Sequence, residues 1–360
     1  MLAGVAERPQ QTQMILPVLS HLLLDCNEDG LSITGTDLEV ELNVQVRDGV
    51  EVEQAGRATL PGRKLAEIWR SLPDSLPVSV ESGDQVRVRS GRSRFQLATL
   101  PAEEYPAMET GGEDETGLSV ASGDLRRLLD QTSFAMAQQD VRYYLNGLLL
   151  EITDSHIRAV ATDGHRLAMC TRPGGAEGAD RVHAIIPRKG VVELGRLLAD
   201  AEEPVELSVG NNYLCAKHGG YTLTTKLVEG QFPDYIKVIP DAGERQLSGD
   251  RETLRHSFLR AAIIGSDQRR VAPLVRLKVE PDRLVVKANN AETQEEAEEE
   301  VSIDYQGDVF EIGFNVDYLQ DVLGVVDTDD VRISVSDGGG SALIETDSEE
   351  SVFVVMPMRL

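Results

Sequence analysis

Positive charge is what this chain has least of. Among its 360 residues, 35 Lys and Arg stand against 61 Asp and Glu, a formal net charge of −26. That balance excludes holding a polyanion by bulk attraction, so any contact with nucleic acid has to be local or topological. It equally fits an acidic, solvated surface that aids solubility or suits saline surroundings. Cysteine is scarce: Cys26, Cys170 and Cys215 lie far apart, without Cys-x-x-Cys spacing. This excludes a disulfide framework and a cysteine-based zinc site, and it suits a reducing cytoplasm. No apolar run approaches the roughly 18 residues that span a bilayer. The start, MLAGVAERPQQ, lacks signal-peptide anatomy. A soluble, cytoplasmic protein is expected.

Catalytic and cofactor signatures are also missing. The glycines of Asp337–Ser341 lack the Gly-Lys-Ser/Thr of a phosphate loop. The acidic stretch Glu295–Glu300 has no calcium-loop pattern, so neither a metal nor a cofactor is expected. Asp163 and His165 could serve a hydrolase, but no nucleophile or second base accompanies them, and a turn explains both.

What is present is a repeat. His156–Cys170, HIRAVATDGHRLAMC, alternates apolar and polar residues, breaks at Thr162-Asp163-Gly164, and resumes with Leu167 and Met169. It reads as strand, tight turn, strand. Leu31–Leu42 and Leu284–Val301 read similarly. Thr36-Asp37 precedes Thr162-Asp163 by 126 residues, and Asn290 follows Asp163 by 127. A period of that size predicts three copies of one domain-sized unit.

Amphipathic helices recur at the same spacing. Leu65, Ile68 and Leu72 follow Pro61; Val191, Leu194 and Leu198 follow Pro187; Val316, Leu319 and Leu323 follow Asn315. A second helix begins at Ser122-Gly123-Asp124 and again at Ser248-Gly249-Asp250, each offering N-cap chemistry. Its counterpart in the first copy would precede Met1, so the first domain is expected to be N-terminally incomplete by about ten residues through a misassigned start. Each unit combines two helices with short β segments and turn signals. The class is therefore α+β with antiparallel sheets, divided at 1–113, 114–240 and 241–360.

Two stretches carry opposite charge. Val88–Phe95 concentrates Arg89, Arg92 and Arg94, whereas Glu295–Glu300 is almost wholly acidic. Each can be a solvated sheet edge guarding against aggregation. Alternatively, the acidic edge pairs with the basic edge of another copy, a head-to-tail contact that makes a closed ring if the rotation closes. Basic positions also recur on the helices: Arg63, Lys64 and Arg70; Arg126 and Arg127; Lys189 and Arg196; Arg251, Arg255 and Arg260. On one helix such residues are a solvated face. Repeated through an acidic chain, they point to surfaces facing a phosphate backbone.

Eight segments are distinctive: TGTDLEVEL (34–42), RSGRSRFQLATLPAEEYP (89–106), QDVRYYLNG (139–147), VATDGHRLA (160–168), IIPRKGVVEL (185–194), FPDY (232–235), EIGFN (311–315) and VVMPMRL (354–360). In this order they resemble the bacterial β sliding clamps, the β subunits of DNA polymerase III. The resemblance implies three DNA-clamp domains in a head-to-tail homodimeric ring, with helices lining the hole and sheets outside. Implied partners are double-stranded DNA, the polymerase III α subunit, the clamp loader and other proteins bearing a clamp-binding motif. The role implied is a non-catalytic processivity factor; the alternative is an acidic adaptor keeping the fold without encircling DNA.

The resemblance also assigns residues. A groove taking leucine or phenylalanine from an extended peptide matches Arg142, Leu145, Thr162, Gly164, His165, Arg166, Leu167, Pro233, Lys237 and Val238. It continues with Asn315, Tyr318, Ser341, Val354, Val355, Met356, Pro357, Met358, Arg359 and Leu360. Lys237 stands where the family often has Arg, which keeps the charge but not the planar fork. DNA contacts match Arg8, Gln139, Tyr143 and Tyr144. The dimer interface matches Arg92, Arg94, Ile263, Ile264, Glu295, Glu296, Glu298 and Glu299. The other two hairpins lack Gly-His-Arg-Leu, so the groove is expected once per chain.

Overall fold

The computed structural model describes residues 16–108, 110–111, 115–176, 181–199, 203–243, 245–265, 274–290, 293–336, 340–346 and 350–360. Among these are five α-helices: α1 (Gly62–Ser71), α2 (Ser122–Thr132), α3 (Arg188–Leu197), α4 (Arg251–Gly265) and α5 (Val316–Val325). Helices α1, α3 and α5 begin where the repeat places them. Their leading apolar residues, Leu65, Val191 and Val316, are buried. Asn315 caps α5 by accepting from the Asp317 amide at 2.9 Å. The cap of α4 comes from the last residue of the Ser248-Gly249-Asp250 triplet. Asp250 supplies it, accepting from the Thr253 amide at 2.8 Å, while Ser248 belongs to the preceding strand and bonds to Asp304. Asp250 ends the strand directly before the helix, so its short carboxylate is within reach of the free amides of the first turn.

The turn chemistry repeats atom for atom. Thr36 Oγ1 donates to the Val40 carbonyl and accepts from the Leu38 amide, and Asp37 Oδ1 accepts from the Glu39 and Val40 amides. One period later Thr162 Oγ1 donates to the Arg166 carbonyl and accepts from Gly164, and Asp163 Oδ1 accepts from His165 and Arg166. A short hydroxyl followed by a short carboxylate is what this turn needs, which is why both residue types recur. The third position in the turn has positive φ in both, +75° at Leu38 and +89° at Gly164.

The chain forms two compact units, Met1–Ser122 with Val192–Leu227, and Gly123–Val191 with Val228–Leu360. Each contains an eight-stranded sheet whose neighbouring strands run antiparallel. In the first unit the order is Gly56–Pro61, His21–Asn27, Gly30–Thr36, Val40–Val46, Tyr221–Lys226, Tyr213–His218, Val205–Val209, Thr116–Val120. Four strands come from the first repeat and four from the second, joined where Val44 faces Tyr221. In the second unit the order is Val182–Pro187, Gly147–Ile152, His156–Thr162, Arg166–Pro173, Ser351–Val355, Ala342–Glu345, Asp330–Val335, Arg245–Asp250. There the second repeat joins the third where Arg166 faces Val355.

Two smaller sheets remain. Val78–Glu81, Val86–Ser90 and Ser93–Leu97 form one in the first unit. Glu295–Ser302, Arg283–Asn290, Leu274–Glu280 and Phe310–Asn315 form the other in the second. Ser93–Leu97 and Glu295–Ser302 are outermost strands, and among the described residues no strand pairs with their free sides. No described helix is long and apolar enough to cross a membrane.

Candidate functional site

In the second unit the hairpin of strands His156–Thr162 and Arg166–Pro173 closes at Thr162 opposite Leu167, and the chain's last strand pairs alongside it. The ladder continues past the strand end, with the Met356 amide donating to the His165 carbonyl at 2.9 Å. The Met358 amide then donates to the Gly313 carbonyl at 2.8 Å. A side chain at Gly313 would collide with Leu360, 2.7 Å from where its Cβ would stand, so glycine there lets the C-terminus settle. These backbone bonds bring the Thr162–Leu167 turn, Asn315 and the segment Val354–Leu360 into one neighbourhood.

Arg166 is its hub. Its guanidinium carbon lies 5.3 Å from the Phe134 ring centre and 4.6 Å from that of Tyr318. Nε donates to Asp163 Oδ2 at 3.2 Å, one terminal nitrogen pairs with Asp321, and the other donates to the Phe134 carbonyl at 3.0 Å. His165 stacks on the same Tyr318, the ring centres 6.3 Å apart and the planes at 19°. The planar cation is thus held on two faces and three edges, a geometry lysine could not reproduce.

Arg142 closes one end. Asp140 accepts from its Nε at 3.0 Å and from Nη2 at 2.9 Å, and Nη2 also reaches the Asp163 carbonyl at 3.3 Å. These hydrogen bonds from Arg142 hold the Asp140 carboxyl down to about 2. Gly164 admits this arrangement, because a Cβ there would sit 3.1 Å from Arg142 Nη2. The adjoining turn holds Leu145, and Tyr143 and Tyr144 meet edge to face with centres 6.0 Å apart.

Apolar surface is distributed differently from the sequence reading. Leu145, Leu167 and Val354 are buried, so they form a floor rather than an open surface. Leu167 and Val354 pack in one cluster with Leu149, Val160, Ile185, Leu343, Phe232 and Tyr235. The exposed apolar residues are Val238 (40 %), Met356 (40 %) and Leu360 (53 %). Val238 follows the short turn Tyr235–Lys237, whose Tyr235 packs in that cluster. Lys237 is exposed and pairs with Asp234 at 2.7 Å. Pro233 lies on the same segment; Ser341 leads into the strand Ala342–Glu345; Val355 ends the terminal strand, and Pro357 and Arg359 follow it.

The expected DNA contacts divide. Gln139 and Tyr143 are exposed on one loop, Gln139 at φ +57°, while Tyr144 is half-buried against the cluster. Arg8 lies outside the described residues. Many recurrent basic positions turn out to have acidic partners of their own. Arg63 pairs with Glu67, Arg126 with Asp130, Arg127 with Asp327 and Glu350, Arg196 with Glu193, and Arg260 with Glu299. Arg251 donates to the Leu323 and Thr328 carbonyls at the end of α5. Net charge available to a polyanion is therefore lower than a count of arginines implies.

At the expected interface, Arg92 and Arg94 have no ion pair among the described residues, and Arg89 pairs with Glu81 at 3.2 Å. On the acidic edge Glu298 meets Lys287 at 2.6 Å and Glu299 meets Arg260 at 2.7 Å. Glu295 accepts from Thr293, and Glu296 is exposed. Ile263 is exposed on α4 and Ile264 half-buried. Residues the sequence reading missed are Asp140, Asp321 and Phe134. Asp321 lies on α5, 155 positions from Arg166, and nothing in its local sequence pairs the two. The described residues hold no group of three or more His, Cys, Asp or Glu placed to bind a metal.

Repeats whose antiparallel sheets join edge to edge, with helices packed on them, define a DNA-clamp fold. Comparison with known proteins agrees throughout the chain. The N-terminal, central and C-terminal domain profiles of the DNA polymerase III beta subunit match residues 4–109, 119–234 and 236–359. The beta sliding clamp of Pseudomonas putida is 49% identical over 364 residues, covering 100% of this chain and 96% of the relative. That of Escherichia coli K12 is 43% identical over 347 residues, covering 96% and 93%. The crystal structure of the Pseudomonas aeruginosa DNA polymerase III subunit beta superposes with a TM-score of 0.93 at 48% identity, covering 100% and 96%. A Caulobacter crescentus sliding clamp gives 0.90 at 36%, covering 99% and 95%. The chain belongs to the β sliding clamp family, the β subunits of DNA polymerase III.

Proposed function

We propose that two copies of this chain close head to tail into a ring around duplex DNA, tethering the replicative polymerase and recruiting other proteins through the Arg166 groove. The observation that carries this reading is the rule by which the repeats join. At each junction within the chain, the second strand of the Thr-Asp hairpin pairs with the last sheet strand of the next repeat: Val40–Val46 with Tyr221–Lys226, and Arg166–Pro173 with Ser351–Val355. The strands in those two roles that remain open are Glu295–Ser302 in the third repeat and Ser93–Leu97 in the first. Applying the rule a third time joins one chain's acidic edge to another chain's basic edge.

The rule also supplies a register. Glu41 and Leu167 face the turn threonines Thr36 and Thr162, and Glu296 faces the matching Asn289. Glu41 pairs with Thr224 across the first junction. Tyr221 and Ser93 each follow a two-residue turn, so Gln96 takes the place of Thr224. Glu296 then faces Gln96 of the other copy, Glu298 faces Arg94, and Glu300 faces Arg92. Cross-strand pairs of opposite charge contribute roughly 0.2–1 kcal/mol each, and like edges repel, so charge sets register as well as affinity. On α4, exposed Leu259 and Ile263 stand four apart on one face and add apolar area beside this edge, which Arg260 ties to the helix through Glu299.

Topological retention reconciles the charge of −26 with a DNA partner. A closed ring leaves duplex only at an end, so tight phosphate contacts are unnecessary and a few exposed groups such as Gln139 and Tyr143 suffice. The work is non-catalytic and belongs in the cytoplasm with the replication machinery. The three-domain division at 113 and 240 follows the repeat. Loading onto a nicked circular plasmid, followed by restriction cutting, tests the whole reading. Retention on the circle and loss from the linear form are expected. An acidic adaptor would show no retention on the circle, and that result overturns the ring.

A further inference from the structure

Glu151 is a buried carboxylate in the strand Gly147–Ile152, its side chain fully enclosed. It faces Arg158 on one neighbouring strand and His183 on the other. Its oxygens accept from Arg181 Nε at 2.8 Å and Arg158 Nη1 at 3.4 Å, and His183 Nε2 lies at 3.0 Å. His156 Nε2 stands 3.7 Å from Oε1, and a further partner comes from outside the sheet: the Tyr235 hydroxyl donates to Glu151 Oε2 at 3.2 Å and accepts from Arg158 at 3.1 Å. Burial alone would raise the Glu151 carboxyl, but Arg181, Arg158 and His183 outweigh it and hold the group below its usual range.

Tyr235 opens the short turn that leads to Lys237 and Val238, on the segment that also carries Pro233. Phe232, Tyr235 and Ile239 hold this segment on the apolar part of the sheet. Apolar contact is non-directional and leaves the segment free to shift along the sheet. A hydrogen bond to a buried, charged acceptor is directional and fixes it. The first repeat provides the comparison. There the equivalents of Glu151 and His183 are Asp25 and Arg57, a half-exposed pair at 3.5 Å. Tyr105, on the corresponding segment, bonds instead to the backbone of His21, Thr34 and Thr36. Among the described residues, the first repeat has a half-exposed pair where the repeat with the Arg166 turn has a buried carboxylate ringed by cations.

We propose that Glu151 and Tyr235 are positioning residues for the peptide groove, pinning the Pro233–Val238 segment so that Val238 stands ready for an incoming apolar side chain. This rests on the groove reading above. The test uses the full-length protein and a fluorescent peptide with leucine and phenylalanine at alternate positions, read by anisotropy well below the melting temperature. Tyr235→Phe removes one hydroxyl and keeps the ring in the cluster. Peptide affinity is expected to fall five- to tenfold, with amide exchange accelerating in 232–239 alone. Ile157→Val, on the opposite face of the same sheet, serves as a comparably destabilised control and should bind like wild type. Unchanged affinity in Tyr235→Phe overturns the proposal, as does equal loss in the control. If the wild-type chain itself fails to bind the peptide, the groove reading falls first.

Discussion

The guanidinium carbon of Arg166 stands 4.6 Å from the centre of the Tyr318 ring, joining a turn of the second repeat to helix α5 of the third. Both residues belong to the same compact unit, and the hub they form is 11% exposed on the arginine side. Removing a mostly buried, multiply bonded cation leaves Asp163 and Asp321 without their partner. Arg166→Ala should therefore lower stability by about 2–4 kcal/mol in urea unfolding. Arg166→Lys keeps the charge, loses the stacking and the fork, and should recover less than half of that loss. Full recovery by lysine would show that charge alone matters at this position.

Turn chemistry makes a second prediction. Leu38 and Gly164 occupy the same place in repeated turns, at φ +75° and +89°. Leucine is strained there, so Leu38→Gly should be neutral or stabilising by up to about 1 kcal/mol. Gly164→Ala should destabilise by about 1–2 kcal/mol and weaken peptide binding, since the added methyl meets Arg142. Thermal melts of the two variants with opposite signs are the expected outcome; equal signs would contradict the shared geometry.

Asp140 provides a pH test. Hydrogen bonds from the Arg142 side chain and backbone hold its carboxyl at about 2, below the ordinary 3.8. A depressed carboxylate contributes fully above its unfolded value and loses that contribution as pH falls through the folded one. The interaction should therefore be intact above about pH 4 and fade towards pH 2. Carbon-13 NMR should find the Asp140 midpoint near 2 in the wild type and close to 3.8 in Arg142→Ala. The same midpoint in both would remove Arg142 as the cause.

Legibility in the sequence followed the range of the interactions. The repeat was readable because Thr36, Asp37, Thr162 and Asp163 bond within five residues, so residue type is dictated locally. Helices α1, α3 and α5 were readable because their apolar faces show the helical period. Sheets that pass from one repeat to the next were not readable, since Val40–Val46 finds Tyr221–Lys226 across some 180 intervening positions. Glu151 was invisible for a related reason: its partners come from two neighbouring strands and a distant segment. The Arg166 neighbourhood was found through family resemblance, but its partners Asp321 and Phe134 lie 155 and 32 positions away and needed coordinates.

Charge exchange tests the third junction most directly. Arg92→Glu with Arg94→Glu in one chain should repel Glu298 and Glu300, and Glu298→Arg with Glu300→Arg should repel the arginines. Each double variant alone should sediment as a monomer. Mixed in equal amounts they should restore a dimer, because one contact in that pair carries the exchanged charges and the other the original ones. Double variants that remain dimeric alone, or a mixture that remains monomeric, would contradict the junction and the register derived from the repeats.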